Sequence, residues 1–179
     1  MKKDSKKSYI ISIGGLWSGR DGKIEQQPFE VDLEFDPKEI DIASKIKGDM
    51  LLAKIKDQIR VALTDVEVTI NQKCEKCLKT YKQKIKISVA ERSYLDKAPQ
   101  DEPDLSDIFL MNLKDLSIDL YEMIRQEIIL HFPLISVCSK GCKGLCPHCG
   151  VNRNKESCKC ESLEGSEYKP FKNLKKLIK

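Results

Sequence analysis

The sequence predicts an α+β protein, with an antiparallel β-sheet, a packed helix and a C-terminal zinc-binding segment. Apolar and charged residues alternate strictly between positions 29 and 36, which is the period of a strand with one buried face. Apolar residues recur at helical spacing between positions 120 and 130. Eight cysteines fall into four close pairs, which is the ligand pattern of structural metal sites.

The predicted strands lie in the first half of the chain. The segment from 29 to 36 is the clearest of them, and Pro37 is expected to end it. The strand at 59–71 changes its apolar phase at Thr64 and Asp65, which predicts a β-bulge or a turn there. The predicted strands span residues 9–13, 29–36, 50–55 and 59–71.

Cys74 and Cys77 are predicted to lie at the tip of a two-stranded hairpin, because strand-like residues flank them on both sides. On the second strand, apolar residues alternate with lysines, which places the lysines together on the open face. The apolar set is Tyr81, Ile85, Ile87 and Val89. Between positions 73 and 86, Glu75 is the single acidic residue among six lysines.

The second half begins with a predicted surface linker at 94–107, which contains two prolines and five carboxylates. A helix is predicted from Asp119, as its N-cap with Glu122 as the N3 partner, to Leu130. Its apolar stripe is expected to pack on the sheet. Pro133 stops the helix, and His131 is interpreted as a capping or packing residue and not as a metal ligand.

Three parts follow from this reading. Residues 1–136 form the sheet and helix, with the ligand hairpin at 74–77, and residues 137–165 form the cysteine-rich zinc-binding segment. Residues 166–179 form a basic amphipathic tail. No apolar run approaches the roughly 20 residues that cross a bilayer, so the protein is expected to be soluble and without a membrane partner.

The cysteines predict two Zn²⁺ ions, each held by four thiolates. A disulfide framework is the alternative, but the lysine-rich start lacks the apolar region of a secretory signal, and closely spaced cysteines strain a disulfide. A redox dithiol at Cys74 and Cys77 would require a helix after the motif, where strand residues stand instead. The predicted ligands are Cys74, Cys77, Cys138, Cys142, Cys146, Cys149, Cys158 and Cys160.

The ligand pairs are predicted to combine in one way. Cys146 and Cys149 are close in sequence to Cys158 and Cys160, and the latter two point to one side of an extended segment. By elimination, Cys74 and Cys77 combine with Cys138 and Cys142. This grouping would pin the hairpin tip to the chain just past the helix.

The formal net charge of +4 falls to about 0 if two Zn(Cys)4 units, each of charge −2, are present. Charge placement is therefore more informative than the sum. Lysine-rich surfaces beside zinc knuckles suit an RNA phosphate backbone, although a solvated strand face and a solvated tail explain the same lysines. The candidate RNA-binding residues are Lys76, Lys79, Lys82, Lys84, Lys86, Lys172, Lys175 and Lys176.

Three segments resemble the YceD family, the large ribosomal RNA subunit accumulation proteins. Cys74–Leu78 is similar to the family's C-x-R-C-L hairpin, and the segment from Cys142 to Asn154 is similar to its C-K-G-L-C-P-x-C-G-x-N-x-N motif. The predicted helix running into Phe132-Pro133-Leu134 also matches. Lys76 stands where the family usually has arginine, which keeps the charge but loses the planar fork that can hold a phosphate in a bidentate manner.

The resemblance implies a bacterial or organellar cytoplasmic factor that supports accumulation of large-subunit ribosomal RNA. Its partners would be that RNA, a pre-ribosomal particle or a ribosomal protein, with no small-molecule substrate. An enzyme is disfavoured on the residues alone, because closed all-cysteine sites activate water poorly and no H-E-x-x-H motif is present. A zinc-ribbon module that binds proteins, without RNA contact, is the remaining alternative.

Overall fold

A computed structural model of the chain describes residues 7–98, 108–158 and 160. The segments predicted as the tail, 166–179, and as most of the linker, 99–107, lie outside the described residues. The elements in chain order are β1 (Ile10–Ser12), α1 (Gly14–Trp17), β2 (Ile24–Val31), β3 (Ile46–Ile55), β4 (Gln58–Lys73), β5 (Thr80–Leu95), β6 (Phe109–Leu110), β7 (Ser117–Asp119) and α2 (Tyr121–Leu130).

Five strands form one sheet in the order β2-β3-β4-β5-β6, and β1 pairs separately with β7. Neighbouring strands run antiparallel, except that β5 and the short β6 pair in parallel. Helix α2 packs against β5. The predicted α+β class, with a mostly antiparallel sheet, is confirmed.

One hydrophobic core joins the sheet to helix α2. The helix buries Met123, Ile124 and Ile128 in the same cluster as the apolar residues of β3, β4 and β5. Full burial of each such side chain contributes about 1.5–3 kcal/mol. Glu127, on this face of the helix, is also buried, and its carboxylate accepts a hydrogen bond from Arg92 at 2.8 Å. The helix is thereby fixed to β5 by both apolar packing and an ion pair.

The predicted phase change within the long strand is confirmed as a β-bulge. The β3–β4 register shifts between Lys47 and Asp49, and Asp65 on β4 has φ of 50°. Leu63 is buried before the bulge and Val66 after it. The extra residue returns the apolar side chains to the core face, since a one-residue slip would otherwise expose them.

The strand predicted at 29–36 is partly wrong. Strand β2 ends at Val31, although Leu33 and Phe35 are buried as the alternation predicts. The chain leaves the sheet at this point to cover α2. The Phe35 ring lies 4.9 Å from that of Tyr121, whose hydroxyl donates to the Glu34 carbonyl at 3.0 Å.

The predicted cap of the helix is also wrong. Asp119 is the last residue of β7, and Leu120 occupies the N-cap position without a side-chain cap. The Asp119 carboxylate instead accepts the N–H groups of Tyr9 and Tyr121, each at 2.9 Å, and so joins the start of the chain to the helix. Glu122 does not reach back, because its carboxylate binds Arg125.

Two smaller corrections concern β5. The predicted linker began at Tyr94, but this residue is buried in β5, and its hydroxyl donates to the Asp119 carbonyl at 3.0 Å. Val89, predicted to share the buried face with Ile85 and Ile87, is 55% exposed. The buried phase of β5 changes there to Ala90 and Tyr94, in step with the bulge on β4. Among the described residues, no helix has the length and apolar character needed to span a bilayer.

Candidate metal centres

The first cysteine group joins the hairpin tip to the chain after α2. Cys74 and Cys77 lie in the turn between β4 and β5, and Cys138 and Cys142 lie beyond the helix. The Sγ atoms of Cys74 and Cys142 are 3.8 Å apart, and those of Cys77 and Cys138 are 3.7 Å apart. All four sulfurs lie within 4.8 Å of one another. Four sulfurs at about 2.3 Å from a tetrahedral Zn²⁺ would be about 3.8 Å apart, so the group fits this ion.

The second cysteine group is local in sequence. Its four sulfurs, from Cys146, Cys149, Cys158 and Cys160, also lie within 4.8 Å of one another. Cys146 is buried, Cys149 is exposed, and the other two are half-buried. None of the eight cysteines forms a disulfide. The second group is therefore more open to solvent than the first, in which three of four cysteines are buried.

Both groups use the same backbone turn to aim their first two sulfurs. In each turn the residue after the second cysteine has positive φ, 58° at Leu78 and 72° at Gly150. In each turn, that residue's N–H returns to the carbonyl of the first cysteine. A second bond joins the N–H of the first cysteine to the carbonyl one residue farther on. The bonds are Leu78 to Cys74 at 2.8 Å, Cys74 to Lys79 at 2.9 Å, Gly150 to Cys146 at 2.9 Å and Cys146 to Val151 at 2.8 Å.

Backbone amides stabilise the thiolate form of several sulfurs. Burial opposes ionisation of Cys74, but the N–H groups of Cys138, Cys77 and Lys76 lower its pKa to about 6. The N–H groups of Cys149 and His148 likewise lower the pKa of Cys146 to about 6. Thiolates are the form that binds metal, so the two turns favour the metal-binding form of the Cys74 and Cys146 sulfurs.

In each group, one cysteine that lies close to other thiols has a raised pKa. Burial, followed by hydrogen bonds to neighbouring cysteine sulfurs, raises the pKa of Cys138 to about 12. Contact with the Cys149 sulfur, followed by burial, raises the pKa of Cys160 to about 12. Four sulfurs this close cannot all ionise unless a cation offsets their repulsion. The donor set therefore fits a divalent, thiophilic ion in both groups.

Two connections tie the groups to each other and to the hairpin. The N–H of Leu145 donates to the Lys76 carbonyl at 2.9 Å, so the second group's segment lies against the first knuckle. The Asn154 side chain accepts the N–H of Lys143 at 2.8 Å and lies 3.5 Å, through its Nδ2, from the Cys142 sulfur. A residue from the second group's loop thus contacts a sulfur of the first.

A third connection fixes the segment that leaves the helix. The N–H of Glu75 donates to the Ser136 carbonyl at 2.8 Å, and the Glu75 carboxylate accepts the Ser136 N–H at 3.2 Å. The Ser136 hydroxyl lies 3.1 Å from the Gln72 side-chain oxygen. These bonds hold the segment before Cys138 beside the hairpin tip without a contribution from metal.

Gly144 allows the close approach between the two groups. Its φ is 71°, and a Cβ at this position would lie 3.0 Å from the Lys76 carbonyl oxygen. We expect Gly144→Ala to lower the free energy of unfolding by about 1–3 kcal/mol, because it combines left-handed strain with a backbone clash. Denaturant unfolding, together with competition for zinc by a chromogenic chelator, measures the effect.

Gly141→Ala is the matched control, because a Cβ there meets no atom within 4 Å. It lies in the same segment, and we expect its unfolding free energy and chelator competition to stay near those of the wild type. Equal effects of the two substitutions would show that the close contact at Gly144 contributes nothing.

The sulfurs come together in the two groups that the sequence predicts. His131 lies at the end of α2, with Nδ1 2.8 Å from the Glu127 carbonyl, away from any sulfur contact in the described residues. The exposed hairpin lysines do share one face, as the alternation indicates. The tail candidates Lys172, Lys175 and Lys176 lie outside the described residues.

A carboxylate from outside positions 73–86 also opposes the hairpin lysines. Glu67, on the neighbouring strand, binds both Lys84 and Lys86, with N–O distances of 2.7 Å each. These two contacts lower the pKa of the Glu67 carboxyl to about 2, so it remains ionised at neutral pH. The charges of Lys84 and Lys86 are thus partly neutralised within the protein.

Sequence reasoning missed the roles of Gly144 and Asn154. Gly144 lies between Cys142 and Cys146, and Asn154 lies between Cys149 and Cys158. Asn152 supports Asn154, since its side-chain oxygen accepts the Asn154 N–H at 3.0 Å. Short amides two residues apart after a knuckle are a usable signal, because such side chains hydrogen-bond nearby backbone.

Four thiolates around one ion form a closed coordination shell. Such a shell offers no position for a water or a substrate, and its electron-rich sulfurs reduce the acidity of the metal. The arrangement supports a structural role: each ion would join segments that have few apolar residues of their own.

Comparison with known proteins supplies a family match. The family model described as large ribosomal RNA subunit accumulation protein YceD matches residues 63–178. An uncharacterized protein of Mycobacterium tuberculosis is 26% identical over 113 residues, covering 63% of this chain and 53% of the relative. The chain thus spans about half the length of these mycobacterial relatives.

Two plant relatives match over a shorter stretch. The Arabidopsis thaliana protein named large ribosomal RNA subunit accumulation protein YCED homolog 1, chloroplastic, is 37% identical over 59 residues, covering 32% of this chain and 18% of the relative. The Zea mays protein of the same name is 40% identical over 61 residues, with coverages of 34% and 21%. No solved structure matches the chain.

Proposed function

Since the chain belongs to the YceD family of large ribosomal RNA subunit accumulation proteins, we propose that it is a non-enzymatic, zinc-binding factor in large-subunit ribosome biogenesis. It would support accumulation of large-subunit ribosomal RNA by binding that RNA or a pre-ribosomal particle in the bacterial cytoplasm. The family match over residues 63–178 carries this proposal. The matched span includes all eight cysteines, so the family relationship and the metal centres concern the same part of the chain.

Zinc is the ion that best suits the two groups. Tetrahedral sites of four thiolates are typical of Zn²⁺ or of iron–sulfur chemistry, and isolated structural sites with paired cysteines are typical of zinc. Residues Cys74, Cys77, Cys138 and Cys142 would hold one ion, and Cys146, Cys149, Cys158 and Cys160 the other. Bound zinc would supply structural cross-links, and the protein surface around them would supply recognition.

RNA contact is proposed for the face of the hairpin that carries Lys76, Lys79, Lys82, Lys84 and Lys86. Phosphate-backbone binding depends on positive charges held at fixed positions. The metal-bound turn would immobilise this face, and the side chain of Lys82 has no ion-pair partner among the described residues. Lys84 and Lys86 would contribute less, because a phosphate must compete with Glu67.

The cellular test compares ribosome profiles of cells with and without this gene. We expect loss of the gene to reduce free large subunits and the ratio of large- to small-subunit ribosomal RNA. Expression of the wild-type chain should restore both, and expression of a variant with Cys74 and Cys146 replaced by serine should not. Unchanged profiles and RNA ratios in the deletion strain would overturn the proposed function.

A second candidate is an adaptor that binds a ribosomal protein without RNA contact. The observation that favours it is an apolar segment beside the first metal centre, where Leu130, Leu134 and Ile135 are 70%, 100% and 66% exposed. Exposed apolar patches often mark protein interaction sites. Binding that is insensitive to salt would favour this candidate, because RNA affinity falls steeply with salt concentration.

A further inference from the structure

We propose, on the basis of the proposed function, that a cationic cleft beside the second cysteine group binds the phosphate backbone of RNA. The cleft has a volume of about 440 Å³ and is bordered by Lys143, Arg153 and Lys155, together with Ser157 and Cys158. All three cationic residues are exposed. A polar, positively charged cleft of this kind suits an anionic chain better than an apolar small molecule.

The cationic residues are anchored through their main chains. Each backbone N–H donates a hydrogen bond to a different partner within the cysteine-rich segment. The bonds run from Lys143 to the Asn154 side chain at 2.8 Å, from Arg153 to the Gly144 carbonyl at 3.0 Å and from Lys155 to the Asn152 carbonyl at 2.9 Å. Charges on a fixed framework bind a phosphate chain with less loss of conformational entropy than charges on a flexible segment.

The three cationic side chains of the cleft differ from the hairpin lysines in their ion pairs. In the part of the chain that the structure describes, Lys143, Arg153 and Lys155 take part in no ion pair, although Glu156 also borders the cleft. Lys84 and Lys86 on the hairpin, by contrast, each contact the Glu67 carboxylate at 2.7 Å. Among the described residues, a phosphate in the cleft displaces no paired carboxylate, whereas on the hairpin it must displace Glu67.

The cleft also adjoins the hairpin. A Cβ at Gly144 would lie 3.4 Å from the Lys76 Cβ, and the Lys76 carbonyl accepts the N–H of Leu145. Lys76 therefore lies next to the segment that carries Lys143. An RNA strand bound in the cleft would therefore lie close to the first knuckle.

The test is a triple variant, Lys143→Gln, Arg153→Gln and Lys155→Gln, in the full zinc-loaded chain. Binding to in vitro transcribed large-subunit ribosomal RNA is measured over a range of salt concentrations. We expect weaker binding and a salt slope lowered by about 2 units, at roughly 0.7 per lost contact with a single strand. Metal content, measured on the same samples, should equal that of the wild type, because no sulfur is changed.

The matched control also removes one arginine and two lysine charges, but at the opposite end of the hairpin. Its substitutions are Arg20→Gln, Lys56→Gln and Lys97→Gln. This end is held together by bonds from Gly22 to Lys54 and from Asp96 to Asp57. Strand β4 has 16 residues and separates it from the knuckle by about 50 Å. We expect the control to keep the wild-type slope, because charges this far from the contact are screened.

A wild-type slope in the cleft variant, with RNA binding intact, would overturn the cleft assignment and leave the proposed function standing. Failure of the wild-type chain to bind RNA would overturn both. If polyglutamate bound as tightly as RNA and with the same loss in the cleft variant, the cleft would be a protein-docking site, and the RNA assignment would be wrong. If the triple variant loses metal, the salt dependence of RNA binding is measured for the single variant Lys155→Gln instead. We expect its slope to fall by about 0.7, and an unchanged slope would overturn the cleft assignment.

Discussion

Replacing Cys149 with serine is expected to disorder residues 143–158 while the sheet remains folded. Within this segment Gly144 and Cys146 are the buried residues, so we expect its order to depend on an ion held by the second cysteine group. A structural zinc contributes on the order of 10 kcal/mol of apparent binding energy, which is comparable with the whole stability of a domain. Amide hydrogen exchange measured segment by segment will detect the loss.

The position at which the disorder begins tests whether the two cysteine groups are independent. Cys138 and Cys142 belong to the first group, so exchange before residue 143 should change little in Cys149→Ser. His148→Ser, in the same turn but without a sulfur ligand, is the control and should leave exchange at wild-type rates. Unchanged exchange at 143–158 in Cys149→Ser would show that the segment does not owe its order to metal.

Replacing Cys74 with serine is expected to detach the hairpin tip from the chain that follows α2. The first group joins residues 61 and 68 positions apart, so the ion would close a long loop across the fold. The free energy of unfolding should fall by several kcal/mol, because one ligand is lost from a site worth on the order of 10 kcal/mol. Chemical denaturation followed by far-UV circular dichroism measures the change.

Amide exchange will locate the effect of Cys74→Ser. Protection should fall at 74–79 and at 134–142, whereas the middle of β4, paired on both sides, should keep its protection. Lys76→Ser is the control in the same turn, because its backbone and not its side chain makes the contact with Leu145. A fall in stability of the same size in both variants would remove the reason for assigning Cys74 to a metal centre.

The elements that sequence predicts well are those fixed by local pattern. Alternation over β4 and β5, with a phase change near Asp65, predicts both the hairpin and its bulge. The spacing of the cysteines predicts the two groups. The last two cysteine pairs are close in sequence and combine locally, and the first two pairs then combine by elimination. Helical spacing predicts α2 to within two residues at its start.

The elements that sequence predicts poorly are those set by tertiary contacts. Leu33 and Phe35 alternate as in a strand, yet they leave the sheet because Phe35 packs on Tyr121, far away in sequence. Asp119 resembles a helix cap, but the N–H of Tyr9 also competes for its carboxylate. Phe35 and Tyr121 are far apart in sequence, as are Asp119 and Tyr9, so local propensity alone gives the wrong boundary.

The ion pairs between Glu67 and the hairpin lysines could have been predicted from the sequence. A hairpin whose turn begins at Cys74 pairs Lys73 with Thr80, and continuing that register places Glu67 opposite Lys86. Opposite charges on facing strand positions attract one another. The cleft cations Lys143, Arg153 and Lys155, in contrast, are brought together by backbone bonds between separate turns, which no periodicity encodes.

We expect the eight cysteines to hold two zinc ions in two separate four-thiolate centres. Native mass spectrometry of protein purified without chelators, combined with elemental analysis, tests this most directly. We predict two zinc ions per chain in the wild type, one in Cys77→Ser, one in Cys158→Ser and none in the double variant. Absence of zinc from the wild type, or a single substitution that removes both ions or neither, would contradict the account.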